Sequence, residues 1–312
     1  MPPRRWPTTA SSSPRNFRRG HFIRLFASES QQTFTCVLTS PLASPRLASP
    51  FLASPLLSSL RFASPRLAAF VEGHSQHASW HKCLSTATMT GPSGSLNSWG
   101  SCAWQPDGSG PPLYLVGDSN AGMLEEALVE SAHTLNAPLI MDTAAACPFI
   151  DWYVSADPSM TQAAEICRNH FELTLDQLES ARPGVIVIAN SDFYVWSDGY
   201  YASKTLQDLS NVQSDKEKLW NHGLESVTSR LRSLGHEVVL VQPVHQFRDS
   251  GWNPRHCTLV AITQDHCFRS LSLTEVEDLQ QQTRAGISTL AKRDSVAVLD
   301  LRPHLCDKTR CS

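Results

Sequence analysis

The chain has 312 residues, 41% hydrophobic and 18% charged, with a formal net charge of -3, enough for one large domain or two small ones. Residues 1–75 hold nine of the 26 basic side chains and only two of the 29 acids, which leaves 17 bases against 27 acids in the remainder. An acidic body without a basic run cannot track a phosphate backbone, so nucleic acid is excluded as its partner; no run of 18 uncharged apolar residues is present to span a bilayer.

In chain order, residues 1–75 read as a disordered, low-complexity segment rich in Arg, Ser and Pro. Pro41 to Phe70 repeats with a period of five (PLASP, RLASP, FLASP), and its prolines rule out a long helix or a central strand. The acid-poor, Arg- and Ser-rich start has the composition of a transit peptide; the plainer reading is a misassigned start or a stretch read in the wrong frame. Neither reading gives the segment a fold.

Residues 76–312 read as one α/β domain. Apolar runs at Leu113–Val116, Leu139–Met141, Val185–Ala189, Val238–Val241 and Val296–Leu299 predict five strands. Between them the pattern predicts helices over Ala121–Leu135, Met160–Ala181, Asp215–Leu234 and Thr274–Lys292. Short, wholly apolar strands alternating with helices of this length predict a doubly wound, five-stranded parallel sheet flanked by helices. Ligands in such a fold bind at the carboxyl ends of the strands.

Nine cysteines are many for a reducing compartment. Eight fall in sequential pairs, Cys83 with Cys102, Cys147 with Cys167, Cys257 with Cys267 and Cys306 with Cys311, leaving Cys36 alone. These have the spacing of local disulfides, although eight cysteines allow about 105 connectivities. A rival is a zinc site at His256, Cys257, His266 and Cys267, whose adjacent His-Cys dipeptides lack the usual C-x-x-C knuckle. The favoured reading has no metal and no cofactor.

The first predicted strand runs into Gly117-Asp118-Ser119-Asn120 and then a helix. A serine at such a turn stands above the sheet with its hydroxyl exposed and backbone N–H groups nearby, which is where a nucleophile belongs; Asp118 or Ser119 can equally serve only as a helix cap. The third strand ends in Asn190-Ser191-Asp192, where an asparagine amide can face the same oxyanion or simply make a turn.

Together these features resemble the SGNH hydrolases, the Gly-Asp-Ser-Leu esterase and lipase superfamily. Residues 83–312 are most similar to the extracytoplasmic SGNH domain fused to OafA-like membrane O-acyltransferases, which decorate lipopolysaccharide, peptidoglycan or other glycans. The resemblance is carried by Leu115-Val116-Gly117-Asp118-Ser119-Asn120-Ala121, Ala146-Cys147-Pro148, Val239-Leu240-Val241-Gln242-Pro243-Val244, and Asp300-Leu301-Arg302-Pro303-His304-Leu305-Cys306 with Cys311. It implies a flavodoxin-like SGNH fold, Ser119 as nucleophile and Asn190 as oxyanion donor beside the Ser119 N–H. It also implies a glycan or acyl-ester substrate, a membrane acyltransferase domain or protein as partner, and an extracytoplasmic location, though no clear signal peptide stands in this chain.

Two departures matter. The loop Asp142-Thr143-Ala144-Ala145-Ala146-Cys147 lacks the glycine that gives many members a further oxyanion N–H. No Asp has a His three places later, so the Asp-x-x-His that supplies the base is missing and the C-terminus reads as incomplete. His245, His266 and His304 are substitutes by residue type only. The expectation is an esterase or O-acyltransferase domain of weak or absent activity. The alternative is a non-catalytic glycan-binding module using Tyr194, Trp196, Tyr200 and Tyr201 as stacking surfaces.

Overall fold

The computed structural model describes residues 84–85, 103–105, 107–247 and 269–311. The expectations for residues 1–75, Cys83, Cys102, His256, Cys257, His266 and Cys267 lie outside the described residues.

Five central strands occur where the apolar runs place them: β3 (Leu113–Gly117), β4 (Leu139–Ala144), β6 (Val185–Ala189), β8 (Glu237–Val241) and β10 (Ala297–Leu299). Two dipeptide strands, β1 (Leu84–Ser85) and β2 (Ala103–Trp104), extend the sheet along the outer edge of β4. The order is β1-β4-β3-β6-β8-β10, parallel throughout, with β2 antiparallel to β4. Among the five central strands this is the flavodoxin-like 2-1-3-4-5 arrangement.

The helices are α1 (Ser119–Gly122), α2 (Glu125–Leu135), α3 (Thr161–Ser180), α4 (Phe193–Trp196), α5 (Gln213–Ser233), α6 (Leu273–Asp294) and α7 (Arg302–Leu305). Both faces of the sheet are buried, which is why the strands read as continuous apolar runs rather than alternating ones. Tyr114, Val116, Ile140, Ile186, Ile188, Val238 and Leu240 join one core with Phe171, Leu175 and Leu178 of α3 and Trp220 and Leu224 of α5. Their strand neighbours Leu113, Leu115, Leu139, Met141, Val185 and Val187, which point to the opposite face, are buried as well.

Local chemistry fixes the helix ends. Ser272 Oγ accepts from the Glu275 N–H at 3.1 Å, the serine half of an S-x-x-E start to α6. Asn136 ends α2 in the left-handed conformation, and the following Ala137 N–H bonds back to Ala132 O. A small antiparallel pair, β5 (Tyr153–Ser155) with β7 (Tyr201–Ser203), and another, β9 (Leu271–Ser272) with β11 (Arg310–Cys311), tie loops together outside the main sheet.

From β3 the chain moves to β4 on one side and then to β6 on the other. The carboxyl ends of β3 and β6 therefore flank the topological switch point, the crevice where open α/β sheets hold ligands.

Candidate active site

Gly117 ends β3 with φ +143°, and a Cβ there would lie 1.9 Å from the Ala189 carbonyl oxygen on β6. Only glycine lets the two backbones approach this closely while the chain turns. Asp118 follows, wholly buried, and its carboxylate joins the two strand ends. One oxygen accepts from the Asn120 N–H at 2.8 Å, the other from the Ser191 N–H at 2.8 Å, and the Tyr194 hydroxyl donates to the same carboxylate. Burial pushes the Asp118 carboxyl up to about 6, and these donors restrain the rise. Burial, reinforced by the neighbouring Asp118 charge, raises Tyr194 well above the ordinary tyrosine value, so its hydroxyl stays a donor.

Ser119 begins α1 and is partly exposed, while Asn120, Ala121 and Gly122 behind it are buried. As a first-turn residue its N–H has no acceptor within the helix. Among the described residues no side chain hydrogen-bonds Ser119 Oγ.

Asn190, buried at the end of β6, is clamped to the loop after β4. Its Oδ1 accepts from the Phe149 N–H at 2.8 Å and its Nδ2 donates to Phe149 O at 3.4 Å. The clamp fixes which way the amide faces and leaves a second N–H on Nδ2. That loop is itself stapled to α3 by the Cys147–Cys167 disulfide. The next two residues are also committed. Ser191 Oγ accepts from Gln246 Nε2 at 2.6 Å and from the Phe193 N–H at 3.1 Å. Asp192 accepts from Trp196 Nε1 at 3.2 Å and from Thr283 Oγ1 of α6 at 3.0 Å, and burial pushes its carboxyl up to about 6.

The aromatic segment after β6 packs mainly on itself. Phe193 meets Trp196 and Tyr200 edge-on at 4.7 and 5.4 Å, and Tyr194 meets Tyr200 at 5.1 Å. Tyr194 is buried and so offers no face to a sugar; Trp196, Tyr200 and Tyr201 are half-buried. Lys216, buried on α5, holds the segment by donating from Nζ to Ser197 O at 2.6 Å and Tyr200 O at 3.0 Å.

Of the histidines weighed as substitutes, His245 follows β8 with its ring edge-on to Phe247 at 5.7 Å, and His304 is exposed on α7. Among the described residues a close His–Asp approach lies elsewhere: His170 Nε2 is 3.9 Å from Asp142 Oδ1, too long for a hydrogen bond, while Thr174 Oγ1 donates to Asp142 Oδ2 at 2.6 Å. His170 is in the core, and burial lowers it to about 4.

The strand ends thus bring Ser119 and Asn190 to the same crevice. Sequence reasoning passed over Gln246, took Tyr194 only as a stacking surface, and took Asp118 only as a helix cap. Asp118 carried a signal in the Gly-Asp-Ser string; the bonds from Tyr194 and Gln246 are tertiary and leave no local pattern.

Residues 82–312 match the family described as SGNH domain (fused to AT3 domains). A search of curated proteins gave no match. Among solved structures, the chain is similar to the periplasmic domain of the lipopolysaccharide acetyltransferase of Salmonella ser. Paratyphi A, at 12% identity over 78% of this chain and 83% of that one, with a TM-score of 0.48.

Proposed function

The chain belongs to the SGNH family, in the form of the domain fused to AT3 domains, and from that membership we propose that it is a serine ester hydrolase or O-acyltransferase module with Ser119 as its nucleophile. The observation that carries this reading is the Asp118 bridge, which sets a partly exposed serine beside Asn190 at the switch point of the sheet. Ser119 Oγ attacks the carbonyl carbon of an acyl ester. The oxyanion takes hydrogen bonds from the Ser119 N–H and the second N–H of Asn190, and the alcohol leaves. The acyl group, acetyl in the favoured case, then passes from Ser119 to a sugar hydroxyl or to water.

The substrate class is acyl esters of cell-surface glycans, in keeping with the OafA-like resemblance, and the partner is a membrane acyltransferase, in keeping with the AT3 fusion of the family. An extracytoplasmic location is favoured by two disulfides among the described residues, Cys147–Cys167 and Cys306–Cys311.

No base reaches Ser119 among the described residues, and the sequence holds no Asp-x-x-His. General-base help is worth about 100- to 10,000-fold, so turnover by this chain is slow. Without a base Ser119 attacks only through its small alkoxide fraction, so the Ser119-dependent rate is weak and rises with hydroxide. Hydrolysis of p-nitrophenyl acetate by the purified chain and by Ser119→Ala tests this: a slow excess that vanishes in the variant supports the nucleophile, and equal rates overturn it. The same absence of a base favours one second reading, a glycan-binding module. Glycan binding undiminished in Ser119→Ala, with no Ser119-dependent hydrolysis, would establish it.

A further inference from the structure

Beyond β8 the chain places His245 against the disulfide that closes the last hairpin. One of its ring nitrogens and the sulfurs of Cys306 and Cys311 all lie within 4.8 Å of one another. While Cys306 and Cys311 are joined, neither sulfur carries the thiolate charge a metal needs. We propose that reduction of this disulfide creates a zinc site formed by Cys306 Sγ, Cys311 Sγ and a ring nitrogen of His245, with water in the fourth position.

Two thiolates and an imidazole are a ligand set that selects zinc. With Zn–S near 2.3 Å and Zn–N near 2.0 Å, tetrahedral angles put the ligand atoms ~3.5–3.8 Å apart. The sulfurs need only separate within the hairpin, since a His245 ring nitrogen already stands within 4.8 Å of both.

The hairpin keeps its shape without the disulfide. Asp307 Oδ1 accepts from the Thr309 N–H at 2.7 Å, the Arg310 N–H at 2.7 Å and Thr309 Oγ1 at 3.0 Å, and the Asp307 N–H donates to Arg310 O at 2.7 Å. Strand β11 remains paired with β9, and the Leu273 N–H bonds to Thr309 O at 2.8 Å. The two cysteines thus flank a turn held by its own backbone, as ligands of a metal knuckle are. Cys311 is buried, but Cys306 and His245 are half-exposed, so reductant and metal approach from that side.

The chemistry balances with a dithiol as reductant. One of its thiolates attacks Cys306 Sγ, the Cys306–Cys311 bond breaks and Cys311 leaves as the thiolate. The second thiol of the reductant then displaces Cys306 and departs as a cyclic disulfide. Two electrons and two protons reach the protein sulfurs, and zinc releases both protons on binding. The site lies close to the crevice: Gln246, the next residue after His245, donates to Ser191 Oγ, and the Ser191 N–H donates to Asp118.

The test uses the full chain, oxidised or reduced with a dithiol that is then removed under anaerobic conditions. Zinc is titrated against a chromophoric chelator, and cobalt(II) replaces it to reveal thiolate charge-transfer absorption. The expected result is one additional zinc per chain on reduction, lost in Cys306→Ser with Cys311→Ser, and weakened at least about tenfold in His245→Ala. The site survives in Cys257→Ser with Cys267→Ser. Because His245→Ala keeps the disulfide, its folding is checked in the oxidised form. The proposal is overturned if reduced wild type takes up no more zinc than the Cys306/Cys311 variant. It is equally overturned if His245→Ala leaves the affinity and the cobalt spectrum unchanged, or if the Cys257/Cys267 variant abolishes uptake.

Discussion

Gly117 answers to two constraints at once, a left-handed φ and a carbonyl oxygen where a Cβ would stand. Gly117→Ala must push β3 from β6 at the point where Asp118 bridges them. It is expected to lower stability by about 3 kcal/mol or more, read as the fall in denaturant midpoint. A change within about 0.5 kcal/mol would contradict the close approach. The buried titratable groups pull stability in opposite directions. Asp118 and Asp192, pushed up to about 6, bind protons in the native state that the unfolded chain does not hold, so their contribution is present below pH 4 and lost as pH rises through 6. His170, lowered to about 4, resists a proton that the unfolded chain takes up near 6.5, so stability falls as pH drops through that interval. Replacing it with His170→Gln removes this second slope. Between pH 7 and pH 5 the variant should gain on the order of 2 kcal/mol relative to wild type. Parallel stability curves for the two proteins would show that His170 is not buried in neutral form.

Elements differ in how much of them a local pattern can carry. The five central strands and four long helices follow from apolar runs and helical periodicity, because both faces of the sheet are covered and each element is long enough to show a period. The dipeptide strands β1 and β2 are too short for any period, and the pairing of β5 with β7 joins Val154 to Ala202, a contact no nearby residue encodes. The loop after β4 shows a further limit. Its lack of glycine is plain in the sequence, yet its link to Asn190 through Phe149 is visible only in three dimensions. That loop hangs on the Cys147–Cys167 disulfide, so Cys147→Ser with Cys167→Ser should cost about 2–4 kcal/mol in thermal or denaturant unfolding. An unchanged midpoint would mean that the loop is held by its packing alone.

At the scale of the molecule, the order of the strands decides where chemistry can occur. The switch between β4 and β6 on either side of β3 marks the point where such sheets hold ligands, and Gly117-Asp118-Ser119 and Asn190-Ser191-Asp192 meet there through the Asp118 bridge. The positions of Ser119 and Asn190 were legible because each follows an apolar strand; the network around them was not, since it joins Asp118 to Tyr194, Asp192 to Thr283 and Ser191 to Gln246 across long stretches of chain. What remains is a serine beside the proposed oxyanion donors, with no base bonded to it among the described residues. The most direct measurement is the Ser119-dependent rate of p-nitrophenyl acetate hydrolysis from pH 5.5 to 9. A rate that climbs in proportion to hydroxide and disappears in Ser119→Ala is the predicted result. A plateau with an apparent pKa between 6 and 7 would reveal a histidine base, and no dependence on Ser119 would contradict the assignment of the nucleophile.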